Sequence, residues 1–80
     1  MDHIALRLTN CFQTVFPNLP KGEIAAANQT NVAAWDSVAA ITLVNVIEEE
    51  FGIEMDFDRL ADLDSFNRIQ DYLNREMHLS

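Results

Sequence analysis

Apolar residues near the start of the chain recur at the spacing of an amphipathic helix. They lie three or four positions apart, which places them on one face of a helix with 3.6 residues per turn. The residues of this stripe are Ile4, Leu8, Cys11, Phe12, Val15 and Phe16. Pro17 follows directly, and because the helical conformation is disfavoured before a proline, the helix is predicted to end there.

The next stretch, residues 17–35, keeps neither a helical nor a strand period. It contains both prolines, Gly22 and the polar run 28–31. Loops of this length are uncommon in compact domains and often carry function. We therefore expect a long ordered loop that is held in place by apolar side chains. These are Leu19, Ile24, Val32 and Trp35.

A second helix is predicted over residues 36–51. Asp36 is a favourable N-cap, and Gly52 suits the left-handed conformation that commonly follows a helix. One face of this helix is apolar and is formed by Ala40, Leu43, Val44, Ile47 and Phe51. Val38 and Val46 fall outside that face, so we expect both side chains to be exposed.

Two more helices complete the prediction. A short helical turn is expected around residues 57–61, and a final helix is expected to start near Asp64-Ser65. The final helix has an apolar stripe formed by Phe66, Ile69, Tyr72, Leu73 and Met77. Because no stretch alternates like a strand, we predict an all-α, four-helix domain that occupies residues 1–80.

The charge of the chain is concentrated in its centre. Residues 36–64 contain nine acidic residues and one arginine, which accounts for the whole net charge of −8. Such a field repels nucleic acid and anionic membrane surfaces and attracts basic protein partners. On charge alone, the alternative that acidity simply keeps a small domain soluble stays open.

The single cysteine and the start of the chain bear on its location. Cys11 is alone, so no internal disulfide can form and nothing indicates an oxidising compartment. The residues after Met1 lack the pattern of a signal peptide, and no apolar run is long enough to span a bilayer. We therefore expect a soluble, cytoplasmic domain, with Cys11 as a buried thiol and not a nucleophile.

Ser37 is the candidate for chemistry. An Asp-Ser pair before an apolar helix is usually only a cap. Here, however, a long loop delivers the hydroxyl to the first turn of a helix. Free backbone N–H groups and the positive end of the helix dipole favour a phosphate at that position. A phosphodiester on Ser37 would therefore be well placed.

Glu48, Glu49 and Glu50 end the same helix against the helix dipole, and they repel one another. We interpret this unfavourable choice as a sign of a partner surface, with tertiary contacts as the alternative. The acidic run further on is not a calcium loop, since Leu60 and Ala61 stand where an EF-hand needs an oxygen ligand and glycine. No metal site is predicted.

The second helix and the region after it resemble the acyl carrier protein family. The signature of that family is Asp-Ser-Leu at the start of the second helix, followed by an apolar pair and an acidic ending before Phe. The resemblance covers about residues 36–75. It is carried by Asp36-Ser37-Val38, Leu43-Val44, Ile47-Glu48-Glu49-Glu50-Phe51-Gly52, Ser65-Phe66, Ile69 and Asp71-Tyr72-Leu73.

The resemblance implies a four-helix bundle of the acyl-carrier type, with a long first loop and a short third helix. It implies that a phosphopantetheinyl transferase moves 4′-phosphopantetheine from coenzyme A to Ser37 with Mg²⁺, and that Asp36 flanks the site of recognition. Acyl groups would then be held as thioesters by a monomeric protein that is a substrate and not an enzyme. Val38, Val46, Glu48 and Glu49 are the predicted contacts for acyl-loading and acyl-transfer enzymes with basic patches.

Departures from the family pattern narrow this expectation. Val38 replaces the motif's leucine, Trp35 stands where a small residue is usual, and Ala39 and Thr42 occupy positions that are acidic in general fatty-acid carriers. Asn45 replaces an apolar contact. We therefore expect a specialised carrier with a dedicated pathway.

Two alternatives to an acyl carrier remain open. An aminoacyl or peptidyl carrier would share the arm but differ in cargo, and an acidic helical adaptor would carry no prosthetic group. A hydrolytic enzyme is disfavoured, because nothing near Ser37 in the sequence could activate it. If the chain carries acyl groups, Ala40, Val44 and Ile47 are expected to line a space that could admit them between helices.

Overall fold

The computed structural model describes residues 3–78, apart from the side chains of Phe57, Arg59, Leu60 and His78. Within these residues the backbone forms helices and one isolated bridge, and it forms no strand. The all-α class is therefore confirmed. The α-helices are α1 (His3–Val15), α2 (Ser37–Phe51) and α3 (Phe66–His78).

Two short 3₁₀ helices connect the α-helices. The second, η2 (Phe57–Asp62), is the short helix that the sequence predicts between α2 and α3. The first, η1 (Lys21–Ala26), lies inside the region expected to be a loop, and its Ile24 is buried. A 3₁₀ helix of six residues makes about two turns of a tighter period, so no 3.6-residue pattern marks it in the sequence.

The polar run after η1 is ordered by its own side chains. The Asn28 Oδ1 atom accepts hydrogen bonds from the amides of Thr30 and Asn31, each at 2.8 Å. In return, Asn31 Oδ1 accepts from the Asn28 amide at 2.9 Å, and its Nδ2 donates to the Ala26 carbonyl at 3.0 Å. Asparagine is suited to such turns because its side chain pairs with nearby backbone groups. The polar run is therefore an ordered turn that its own side chains stabilise.

The core is formed by buried residues of α1, α2, α3 and the segments between them, and α1 contacts both other α-helices. Aromatic rings form one part of it. Phe12 is at its centre, with ring centroids 5.3 Å from Trp35, 5.2 Å from Phe66 and 6.0 Å from Phe16. The apolar residues predicted to form the stripes of all three α-helices are buried or partly buried. Ile24 and Val32, in the segment between α1 and α2, are buried as well. Aromatic pairs at these distances add to the stability that burial provides.

Helices α1 and α2 run antiparallel. At one end, Arg7 Nε lies 2.8 Å from Glu50 Oε2, so the start of α1 meets the end of α2. At the other end, the ring of Phe16, the residue after α1, lies 5.7 Å from the ring of Trp35, just before α2. Ser37 therefore lies at the same pole of the molecule as the end of α1.

Helix α3 begins at a clasp, by which we mean two backbone hydrogen bonds that join the loop before α2 to the chain after η2. The Gln29 amide donates to the Asp64 carbonyl at 3.0 Å, and the Phe66 amide donates to the Ala27 carbonyl at 2.9 Å. Ser65 caps the helix, because its Oγ accepts from the Arg68 amide three residues on. The first amide of α3 is thus already satisfied within the fold.

Candidate functional site

Ser37 is the first residue of α2, and its side chain is exposed. Its hydroxyl has no hydrogen-bond partner among residues 3–78. The amides of Ser37 and Val38 also have no acceptor in this described part of the chain. A free hydroxyl therefore lies beside two free donors at the positive end of a helix dipole, an arrangement that favours an anionic group.

Asp36 leaves the Ser37 hydroxyl free because Asp36 itself caps the helix. Its backbone is extended (φ −97°, ψ −173°), and its Oδ1 accepts a hydrogen bond from the Ala39 amide at 2.8 Å. This is the usual bond from an N-cap side chain to the third residue of a helix. The structural role of Asp36 is thus clear, and its predicted role in recognition remains a prediction.

Trp35 fixes the backbone that leads into the site. Its side chain is 4% exposed and packs against Phe12 and Phe16. Its Nε1–H is the buried side-chain donor without a partner in the described residues. The residue before the Asp-Ser pair is thus an anchor, which holds the site while the next two side chains face solvent.

Two exposed apolar residues adjoin Ser37 on α2. Val38 is 71% exposed, as predicted, and Ile41, one turn further on, is 44% exposed. Sequence reasoning missed Ile41, although its position four residues after Ser37 was a usable signal. The prediction that Val46 is exposed was wrong, since its side chain is half-buried and packs against the core. It lies three residues after Leu43, at the edge of the buried stripe and not opposite to it. Its predicted role as a partner contact remains a prediction.

The acidic end of α2 is partly committed to the fold. The Glu48 carboxylate accepts a hydrogen bond from the Met55 amide at 2.7 Å, and Glu50 pairs with Arg7. Glu49 is exposed, and its carboxylate has no hydrogen bond or ion pair in the part of the chain described. Tertiary contacts thus explain two of the three glutamates that oppose the helix dipole. Glu49 is thus the glutamate of the three that no contact within the described residues engages, and its predicted role as a partner contact remains a prediction.

Cys11 is buried in the core, as the sequence predicts. Burial, and after it the negative charge of Glu50, raise the pKa of its thiol from 9.0 to about 11. The thiol therefore stays protonated at neutral pH, in its unreactive form. Among the described residues, no group of three or more His, Cys, Asp or Glu side chains is arranged to hold a metal ion.

The chain matches the protein family described as the phosphopantetheine attachment site, over residues 7–73. The match contains all of α2, including Ser37. The chain belongs to this family. Comparisons with curated proteins and with solved structures gave no match. Members of the phosphopantetheine attachment site family carry 4′-phosphopantetheine covalently, so the predicted cofactor is confirmed.

The residues of this phosphopantetheine carrier fit the group. Attachment needs a hydroxyl that solvent and a second protein can reach, and Ser37 provides one. The open amides of Ser37 and Val38 can donate hydrogen bonds to phosphate oxygens. Within residues 3–78, no helix combines the length and the hydrophobicity needed to cross a membrane.

Proposed function

We propose that Ser37 is the residue to which 4′-phosphopantetheine is attached, and that the chain carries acyl groups for partner enzymes. The observation that supports this most strongly is the exposed hydroxyl at the first position of α2, which has no hydrogen-bond partner within the described residues. A serine used only for folding would cap the helix with its oxygen, but at this site Asp36 does so. Ser37 is left available for modification.

The attached group supplies a terminal thiol that holds an acyl unit as a thioester. At attachment, the Ser37 oxygen forms a bond to the phosphorus that coenzyme A provides, the pyrophosphate bond of coenzyme A breaks, and adenosine 3′,5′-bisphosphate leaves. The hydroxyl proton has to be taken by a base. Asp36 is held on the Ala39 amide, so we assign the base and the Mg²⁺ to the phosphopantetheinyl transferase. The chain acts as a substrate and not as an enzyme.

Partner enzymes would dock on the exposed side of α2. Val38 and Ile41 offer apolar contacts beside Ser37, and Glu49 offers a free carboxylate for a basic patch. Glu48 contributes negative charge to the same end of the helix, although one oxygen is already bonded to Met55. Electrostatic attraction of this kind mainly raises the rate and the specificity of association. The half-buried Val46 would add contact area at the edge.

The pathway we favour is a specialised one. Ala39, Thr42 and Asn45 replace acidic and apolar contacts of general fatty-acid carriers, which should weaken docking to the enzymes of general fatty-acid synthesis. We propose a monomeric, cytoplasmic acyl carrier with the four-helix bundle of that family, in fatty-acid-like or other specialised biosynthesis. An aminoacyl or peptidyl carrier would use the same serine, and the activating enzyme that loads the attached thiol separates the two.

Intact mass spectrometry tests the attachment. The purified protein is incubated with coenzyme A, Mg²⁺ and a broad-specificity transferase, and we expect one phosphopantetheine adduct. Ser37→Ala should give none. Ser65→Ala is the matched control, since Ser65 also follows an aspartate at a helix start, and it should be modified like the wild type. An adduct that persists in Ser37→Ala, or no adduct in any variant, contradicts the proposal.

A second variant separates the two roles of Asp36. Asn caps helices about as well as Asp, so Asp36→Asn should keep the stability of the protein within a few tenths of a kcal/mol. If Asp36 also serves recognition, the rate of modification by the transferase should fall. An unchanged rate would limit Asp36 to its role as a cap.

A further inference from the structure

One arginine of α1 is held at the end of α2 by three contacts. Arg7 Nε donates a hydrogen bond to Glu50 Oε2 at 2.8 Å, and Arg7 Nη2 donates to the Glu50 carbonyl. The guanidinium carbon lies over the Phe51 ring, 4.4 Å from its centroid. A guanidinium can bind a carboxylate and stack on an aromatic ring at the same time. A single side chain thus engages the charge, the backbone and the ring at this end of the helix.

The contact with Arg7 distinguishes Glu50 from its neighbour Glu49. Both glutamates are exposed, and the Glu50 side chain is 42% exposed even with Arg7 in place. Glu49 has no hydrogen bond or ion pair in the part of the chain that the structure describes. A basic group of a partner can therefore reach either carboxylate, but at Glu50 it has to compete with Arg7.

The Arg7–Glu50 pair is better supported than an ordinary surface ion pair. Such pairs are usually weak, because two long side chains have to be held in one geometry for a single contact. The ring of Phe51 and the Glu50 carbonyl hold Arg7 in addition. A positive charge at the end of a helix is also favoured by the helix dipole. Glu50 is therefore paired before a partner arrives.

We propose that Arg7 is a specificity-determining residue, which neutralises Glu50 and so limits the negative charge that basic partner enzymes meet at the end of α2. This inference rests on the proposed attachment at Ser37 and on docking at α2. With Glu50 paired, the acidic end presents Glu49 and a Glu48 carboxylate that already bonds the Met55 amide. An enzyme whose basic patch fits three free glutamates loses a contact on this chain. Specificity is a difference of affinities, and Arg7 disfavours such enzymes.

The kinetics of Ser37 modification at low salt test the proposal, with coenzyme A, Mg²⁺ and the broad-specificity transferase. Arg7→Gln leaves Glu50 available to a basic patch, and one exposed ion pair changes affinity by about two- to fivefold. We expect the KM for the carrier to fall by that factor, kcat to stay unchanged, and the difference to disappear at high salt. Glu49→Gln should raise KM at low salt.

Three further variants separate the charge of Arg7 from its other effects. Arg7→Lys keeps the positive charge and should keep the KM of the wild type. The double variant Arg7→Gln/Glu50→Gln removes both charges of a neutral pair and should keep it as well. Arg68→Gln is the matched control, because it removes an arginine that is paired with Asp64 near the start of α3. It changes the net charge equally but away from α2, so KM should not change.

Urea denaturation of the same variants excludes a purely structural explanation. Arg7→Gln loses the ion pair and the contact with the Phe51 ring, so we expect it to be less stable than the wild type. A purely structural role predicts that this less stable variant has an unchanged or higher KM. Neutralisation of Glu50 predicts a lower one.

The outcomes separate this inference from the proposed function. If the wild type is not modified at Ser37, the proposed function fails. If the wild type is modified but Arg7→Gln does not lower KM, Arg7 does not determine specificity. An equal fall in KM for Arg68→Gln, or a fall that persists at high salt, also overturns the inference.

Discussion

The dipeptide Asp-Ser occurs twice in the chain, at residues 36–37 and 64–65, and an α-helix follows each time. In the first case Asp36 is the N-cap, and Ser37 is the first residue of the helix. In the second case Ser65 is the N-cap, and Phe66 is the first residue. A difference of one residue in the start of the helix therefore decides which side chain the fold uses.

The two helix starts also differ in their surroundings. The amide of Phe66 is bonded to the Ala27 carbonyl, whereas the amides of Ser37 and Val38 have no acceptor in residues 3–78. The residue after the serine is 3% exposed at the second start and 71% exposed at the first. The start of α3 is thus packed into the fold. The start of α2 leaves the Ser37 hydroxyl and two backbone amides available to other molecules.

The largest expected difference concerns the residue after each serine. Phe66→Ala removes a buried ring from the aromatic cluster and should lower the free energy of unfolding by about 3–5 kcal/mol. Val38→Ala should change it by less than about 0.5 kcal/mol, because the side chain is already in water. Urea denaturation of both variants measures this difference. Equal losses would contradict the view that only the second start is part of the core.

A smaller effect on stability is expected for the capping residues, and it should be crossed: the aspartate matters at the start of α2 and the serine at the start of α3. Asp36→Ala and Ser65→Ala each remove a capping oxygen and should cost about 1 kcal/mol of stability. Ser37→Ala and Asp64→Ala remove side chains that cap nothing and should stay within about 0.5 kcal/mol. Denaturation curves of the four variants reveal whether the pattern is crossed. A loss in Ser37→Ala as large as that in Asp36→Ala would show that its hydroxyl is not free.

The smallest effect concerns the ion pair at the second start. Arg68 Nη1 lies 3.5 Å from Asp64 Oδ1, four residues apart, and the two side chains are 62% and 41% exposed. Such pairs contribute about 0.3–0.5 kcal/mol and weaken with salt. A double-mutant cycle with Asp64→Ala and Arg68→Ala should give a coupling of that size at low salt and none at high salt. A coupling free energy that does not fall with salt would contradict the view that this is an exposed, weak ion pair.

Much of the fold could be predicted because its local signals agree with its packing. The Asp36 and Gly52 ends of α2 and the apolar stripes of all three α-helices follow from spacing and capping rules, and the structure confirms them. The 3₁₀ helix η1 could not be predicted, because its six residues are held by Ile24 in the core and not by a period of their own. Val46 was misplaced because it flanks the buried stripe, where neighbouring elements decide exposure.

The candidate site was predictable in position but not in detail. The dipeptide Asp-Ser alone does not determine which of its two residues caps the helix. The number of residues from the serine to the first buried residue of the helix is a signal, however. That residue is Phe66 directly after Ser65, but Ala40 three positions after Ser37. The bonds of Glu48 and Glu50 depend on residues distant in the chain, so the sequence alone left the whole acidic end open to a partner.

The clasp between the loop and α3 has a consequence for opening motions. The Gln29–Asp64 and Phe66–Ala27 hydrogen bonds join segments that are more than thirty residues apart in the chain, with all of α2 between them. Releasing either amide to solvent therefore requires the two segments to separate. Gln29 and Phe66 should then exchange their amide protons for deuterium at a common opening rate, as a single cooperative unit that encloses the helix bearing Ser37.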